Sequence, residues 1–96
     1  MRLVRHPEAD QELEAAALWY EQRQPGLGED FLDEFERTLC HILAGPDHWH
    51  KIDAENRKAN FHRFPYAIVY SVHEYVVRLK AVMRLHRRPF YWRDRL

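Results

Sequence analysis

The chain has 96 residues, 46% hydrophobic and 31% charged, with 15 basic against 15 acidic side chains. That is the size of one small domain with apolar content enough for a core, so a single domain over residues 1–96 is expected and global disorder is excluded. No run of about 18 apolar residues offers a membrane-spanning helix, and the opening MRLVRHPEADQELE turns acidic without an apolar signal core, so the expectation is a cytoplasmic protein that does not engage a membrane.

In chain order, RLVR at residues 2–5 reads as a short strand. Pro7 then suits the first turn of a helix, where a missing N–H costs nothing, and Glu8, Asp10 and Glu12 suit the positive end of the helix dipole. His6 stands where Ser, Thr or Asp would cap better. ADQELEAAALWYEQR is rich in helix formers, with Leu13, Ala16, Ala17 and Tyr20 on one face, and Pro25-Gly26 stops it. A second helix is expected from about Glu29 to Ala44, its core stripe being Phe31, Leu32, Phe35, Leu39, Ile42 and Leu43, with Gly45-Pro46 at its end. The short PGLG link makes the two an antiparallel hairpin. Cys40, the single cysteine, has no internal disulfide partner, which agrees with a reducing compartment, and its place beside Leu39 and Leu43 suggests a small buried hydrophobe.

DHWHKIDAENRKAN shows no clear period and reads as mostly loop. His48 and His50 lack a third ligand at a fitting spacing, so they read as loop histidines and no metal site is assigned. YAIVYSV is apolar on both faces, as a central strand should be, and His73-Glu74 is the candidate turn. In VVRLKAVMR, Val77, Leu79, Ala81 and Met83 alternate with Arg78, Lys80, Val82 and Arg84, the pattern of a half-buried strand with a basic outer face. Strand, helix hairpin, then an antiparallel β-meander packed on the helices is an α+β arrangement. Charge divides along this order. Residues 1–40 hold ten acids against four arginines, whereas residues 41–96 hold five acids against eleven lysines and arginines. A split of this kind points to an acidic or polyanionic partner for the basic half, or to two solvated faces that neutralise each other.

Three blocks in this order, HPEADQELEAAALWYEQRQPGLGEDF, RFPYAIVY and AVMRLHRRPFYW, resemble the RelE/ParE superfamily, the toxins of bacterial type II toxin–antitoxin pairs, also described as plasmid stabilisation proteins. The resemblance runs nearly end to end. It implies a small toxin that needs no cofactor and is held inactive by a cognate antitoxin, an extended or helical segment of which wraps the toxin. Members resemble either ribosome-dependent endoribonucleases that cut mRNA or poisons of DNA gyrase.

Ribonuclease chemistry needs a base for the 2′-OH, cations for the phosphate oxygens and an acid for the leaving oxygen. Against the ribonuclease-type pattern, the central-strand cation position reads Ala67 and the basic position near the end of the last strand reads Leu85, whereas Tyr91 matches the C-terminal tyrosine. The catalytic set, if the chain were a ribonuclease, would be Arg63, Arg84, Arg87 and Tyr91. Losing one phosphate donor typically costs about 2.7–4 kcal/mol, and Arg78, Lys80 and Arg84 would compensate only by sharing a face. FPY and RxPxYW lie closer to the ParE side, for which a binding surface suffices. The candidates for target or antitoxin binding are Trp19, Arg78, Lys80, Arg84, His86, Arg87 and Arg88, weighed against an ordinary charged strand edge. Trp92 is expected to close over the core. A toxin decayed into a non-toxic, antitoxin-binding module is the remaining reading. The sequence does not fix an oligomeric state.

Overall fold

Two helices lie on one face of a five-stranded mixed sheet in the computed structural model of the chain, which describes residues 1–88 and 90–95. The elements are β1 (Arg2–Arg5), α1 (Pro7–Arg23), α2 (Leu27–Ala44), β2 (His50–Lys51), β3 (Asn56–Asn60), β4 (Tyr66–His73) and β5 (Val76–Arg84). The sheet order is β1-β5-β4-β3-β2. Strands β2 to β5 form the expected antiparallel meander, and β1 joins β5 in parallel, Arg2 opposite Val76 and Arg5 opposite Leu79. This is the α+β arrangement that the sequence implies.

α1 begins on an unusual cap. The Glu8 N–H donates to His6 Nδ1 at 3.1 Å, so the imidazole fills the place of a hydroxyl or carboxylate. The helix hairpin is fastened by Glu21. Its carboxylate accepts the N–H groups of Gly26 and Gly28, all at 3.0 Å, and so extends α2 to Leu27, two residues ahead of the expected start. Gly28 is where the helices come closest: a Cβ there would stand 2.5 Å from the Ala17 carbonyl oxygen.

The main core joins Leu13, Ala16 and Ala17 of α1 to Phe31, Phe35, Leu39 and Ile42 of α2, over Ile68, Tyr70, Val77, Leu79 and Val82 of the sheet. Tyr20, Phe31, Phe61, Phe64 and Tyr66 form an aromatic group at one end, with neighbouring centroids 4.8 to 6.2 Å apart. Tyr70 is fully buried and donates its hydroxyl to the Pro46 carbonyl at 2.6 Å. Burial pushes that phenol up to about 12.

Four expectations are corrected. The stretch read as loop contains β2 and β3. Asp53 Oδ1 accepts the N–H groups of Glu55 and Asn56 at 2.8 Å, which turns the chain, and β3 is held by its ladder to β4 rather than by apolar alternation. Cys40 is exposed, because the buried stripe of α2 passes through Phe35, Thr38, Leu39 and Ile42 and leaves position 40 on the solvent side. Leu32 is exposed for the same reason. The β4–β5 turn is Glu74-Tyr75 rather than His73-Glu74. Both residues have positive φ, 49° and 64°, as a two-residue hairpin turn with the sheet's twist requires.

Candidate functional site

The geometry of the site follows from one irregularity in β5. Val69 pairs with Ala81 but Tyr70 pairs with Leu79, so Lys80 is an extra residue without a partner on β4. The insertion inverts the alternation that the sequence suggests. Before it, Val77 and Leu79 face the helices; after it, Val82 does, while Ala81 and Met83 turn to the opposite face, where they pack with Val69 and Trp92. Arg84 follows Val82 to the helix side. Arg78 and Lys80 stay on the other side of the strand, so the three cations do not share a face.

β5 also outruns β1, which covers it only as far as Leu79. Side chains continue the edge. The Val82 N–H donates to Glu12 Oε1 at 3.1 Å, and Arg95 Nη1 donates to the Lys80 carbonyl at 3.1 Å and to Glu12 Oε1 at 2.9 Å. Arg95 Nη2 completes the pair on Glu12 Oε2 at 3.1 Å and reaches Glu8 at 2.9 Å. Burial works against the guanidinium charge, and the two carboxylates more than offset it. Backbone groups that would otherwise stand as an open sheet edge are thereby satisfied.

Beside this clasp lies a pocket of about 380 Å³ between α1 and the end of β5. Glu12, Trp19 and Tyr20 come from α1, Tyr66 from β4, Arg84 from β5, and Arg87 and Tyr91 from the segment beyond it. Trp19 is 43% exposed and carries the Arg23 guanidinium over its ring at 3.5 Å. Arg87 lies 4.3 Å and Arg95 5.1 Å from the centroid of Tyr91. Arg84 stands near the phenols of Tyr20 and Tyr66; burial raises both, and the Arg84 charge partly counters that. The Tyr91 phenol is raised far more, first by burial and then by the Glu12 carboxylate beside it.

Of the residues that the sequence singles out, the fold brings Trp19, Arg84, Arg87 and Tyr91 into this pocket. Arg63 is elsewhere, paired with Asp30 at 3.4 Å and stacked over Phe64. Arg78 and Lys80 line a separate pocket on the far side of β5. His86 and Arg88 are exposed on the turn after β5 and line neither pocket. Lys80 is not part of an exposed basic strand face: the residue is 7% exposed, because the bulge sets it inward. Trp92 is 1% exposed, packed over the sheet as expected. Sequence reasoning missed Glu12 and Arg95. Their signal, one acid in the first helix and one arginine among seven basic residues in the tail, cannot be told from its neighbours without the missing β1 partner that makes them necessary.

Comparison with known proteins accords with the fold. The family model described as the ParE toxin of type II toxin-antitoxin system, parDE, matches residues 3–89. No curated protein sequence matches. Among solved structures, one described as the chromosomal ParDE TA system from P. aeruginosa superposes with a TM-score of 0.78 at 14% identity, covering 90% of this chain and 97% of that one. At that identity the likeness is one of fold.

Proposed function

The chain belongs to the ParE toxin family of type II toxin–antitoxin systems, and from that premise we propose that it arrests growth by binding DNA gyrase and is neutralised by a cognate antitoxin. The observation that carries this reading is the pocket that gathers Trp19, Arg84, Arg87 and Tyr91 and leaves Arg63 outside it. Ala67, where the ribonuclease pattern has a cation, is fully buried, and Arg63 is tied to Asp30 away from the pocket. Burial and the Glu12 carboxylate raise the Tyr91 phenol, which does not favour it as the base for a 2′-OH. What remains is a recognition surface: two guanidinium groups that offer bidentate hydrogen bonds to carboxylates, set among rings that bury apolar area at small entropic cost.

The antitoxin is proposed to place acidic side chains on Arg84 and Arg87 and an apolar anchor beside the exposed Leu18 and Trp19. The complex should therefore weaken as salt rises, and a salt-independent affinity would remove the electrostatic half of this claim. The target reading is tested by expressing the chain alone in bacteria and following growth, transcript integrity and DNA supercoiling in one culture. Arrest with intact transcripts and altered supercoiling or DNA breaks is the expected result. Arrest with transcripts cut inside translated regions would replace gyrase by the mRNA endonuclease reading, and vigorous growth with soluble protein present would leave the non-toxic antitoxin-binding module.

A further inference from the structure

On the side of β5 away from Arg84 there is a larger pocket, of about 790 Å³. Four cations line it, Lys51, Arg57, Arg78 and Lys80, against two acids, Asp47 and Glu55. The acids do not cancel the site. Asp47 is 87% exposed and is reached by Arg57 at 3.8 Å, and Glu55 is exposed on the loop before β3. Lys51 and Arg78 are exposed, and neither makes an ion pair among the described residues.

Lys80 is the unusual member. It is the bulge residue, and the residue is 7% exposed. Its stem is buried, but the ammonium reaches the water of the pocket and makes no hydrogen bond or ion pair to any described residue. Asp53 is near enough to feel its charge, as the weakest of the influences that lower that carboxyl, of which the Asn56 side chain is the first. Its carboxylate is already occupied by the Asn56 amide, at 3.0 and 3.1 Å. A bulge is also a recurrent means of re-aiming a side chain at a binding site. Here it turns Lys80 into the pocket and leaves Arg78 two residues away on the same side.

We propose that this pocket binds a phosphoryl group, with Lys80 as a point charge turned into it by the bulge and Arg78 as a bidentate fork, and Lys51 and Arg57 completing the cationic wall. Four cations exceed what one carboxylate would need, whereas a phosphate carries up to two charges and three acceptor oxygens. The phosphoryl group belongs to a free nucleotide or to the DNA backbone, which share this chemistry. The inference does not depend on gyrase being the target, since its residues lie on the opposite side of β5 from the Trp19–Arg84 pocket.

The test is titration of the purified chain with pyrophosphate, ATP and a short DNA duplex, each read by calorimetry and by the shift in Tm. Saturable binding is expected, weakened by about tenfold or more in both Lys80→Met and Arg78→Gln and unchanged in Arg84→Gln. Lys80→Met keeps the side chain's volume, and Arg78→Gln changes an exposed residue, so loss of fold in one leaves the other to decide. Binding of pyrophosphate and ATP alone identifies a free nucleotide; Lys80-dependent binding of the duplex alone identifies the DNA backbone. No saturable binding of any of the three, or equal binding by both variants and the parent, overturns the proposal.

Discussion

The two pockets flanking β5 use cations in opposite ways. On the helix side, Arg84 and Arg87 are exposed and stand against rings, Arg87 over Tyr91 and Arg84 beside Tyr20 and Tyr66. On the far side, Lys80 has a buried stem and brings its ammonium to a pocket wall with no described partner. A guanidinium resting on an aromatic face keeps most of its hydration and can turn to meet a protein surface. An ammonium on a buried stem is held in one place, so an anion that meets it there displaces only the water of the pocket. One residue of strand insertion separates the two environments, so a single basic stretch in the sequence supplies two chemically distinct surfaces.

The largest effect expected to break this contrast comes from Trp92→Ala. It removes the side chain that packs on Val69, Ala81 and Met83, and should cost about 3–5 kcal/mol in urea unfolding. A loss below about 1 kcal/mol would mean that this segment is not part of the core. Glu12→Ala comes next, at about 2 kcal/mol, because it leaves the Val82 N–H without its acceptor and Arg95 with only Glu8 and the Lys80 carbonyl. Glu12→Gln keeps an acceptor for the strand edge and should recover part of that loss, whereas equal losses would show that the charge pair alone matters.

A smaller effect is expected from alkaline pH. The Tyr70 phenol is raised to about 12 in the fold, against about 10 in an unfolded chain. The unfolded state therefore gives up its proton first, and the stability that this tyrosine contributes is present below about pH 10 and lost between about pH 10 and 12. Tyrosinate absorbance should show a late step that is missing in Tyr70→Phe. The smallest change in stability, within about 0.5 kcal/mol, belongs to the exposed Arg84→Gln. Its value is that it should abolish growth arrest while the protein stays folded, and undiminished arrest would move the target surface away from the helix-side pocket.

The helices and both long strands were legible because their apolar spacing is strong: Phe31, Phe35, Leu39 and Ile42 admit no other period, and YAIVY reads as a buried strand. β3 was not legible, since NRKAN has only Ala59 as an apolar member and is defined by the neighbour it pairs with. The sides of β5 were misjudged because alternation assumes an unbroken count of two, and nothing local to LKAVM marks the residue at which the count slips. Half of the candidate site was therefore readable by residue type, as Trp19, Arg84, Arg87 and Tyr91, but its division into two surfaces was not. Glu12 was invisible for a related reason, because its role is to stand in for a strand that stops short.

The parallel union of β1 with β5 has a consequence in folding time. The helix hairpin and the β4–β5 hairpin close over short stretches of chain, whereas Arg2 must wait for Val76, and Glu12 for Val82 and Arg95. Loop-closure entropy places such distant contacts last. During synthesis the first strand and the apolar sides of both helices thus precede the strand that will cover them, and one side of the sheet is completed from its two sequence extremes. The fold is closed by its most widely separated residues, so a chain interrupted before β5 would have helices and β2 to β4 but no strand to join β1 to them.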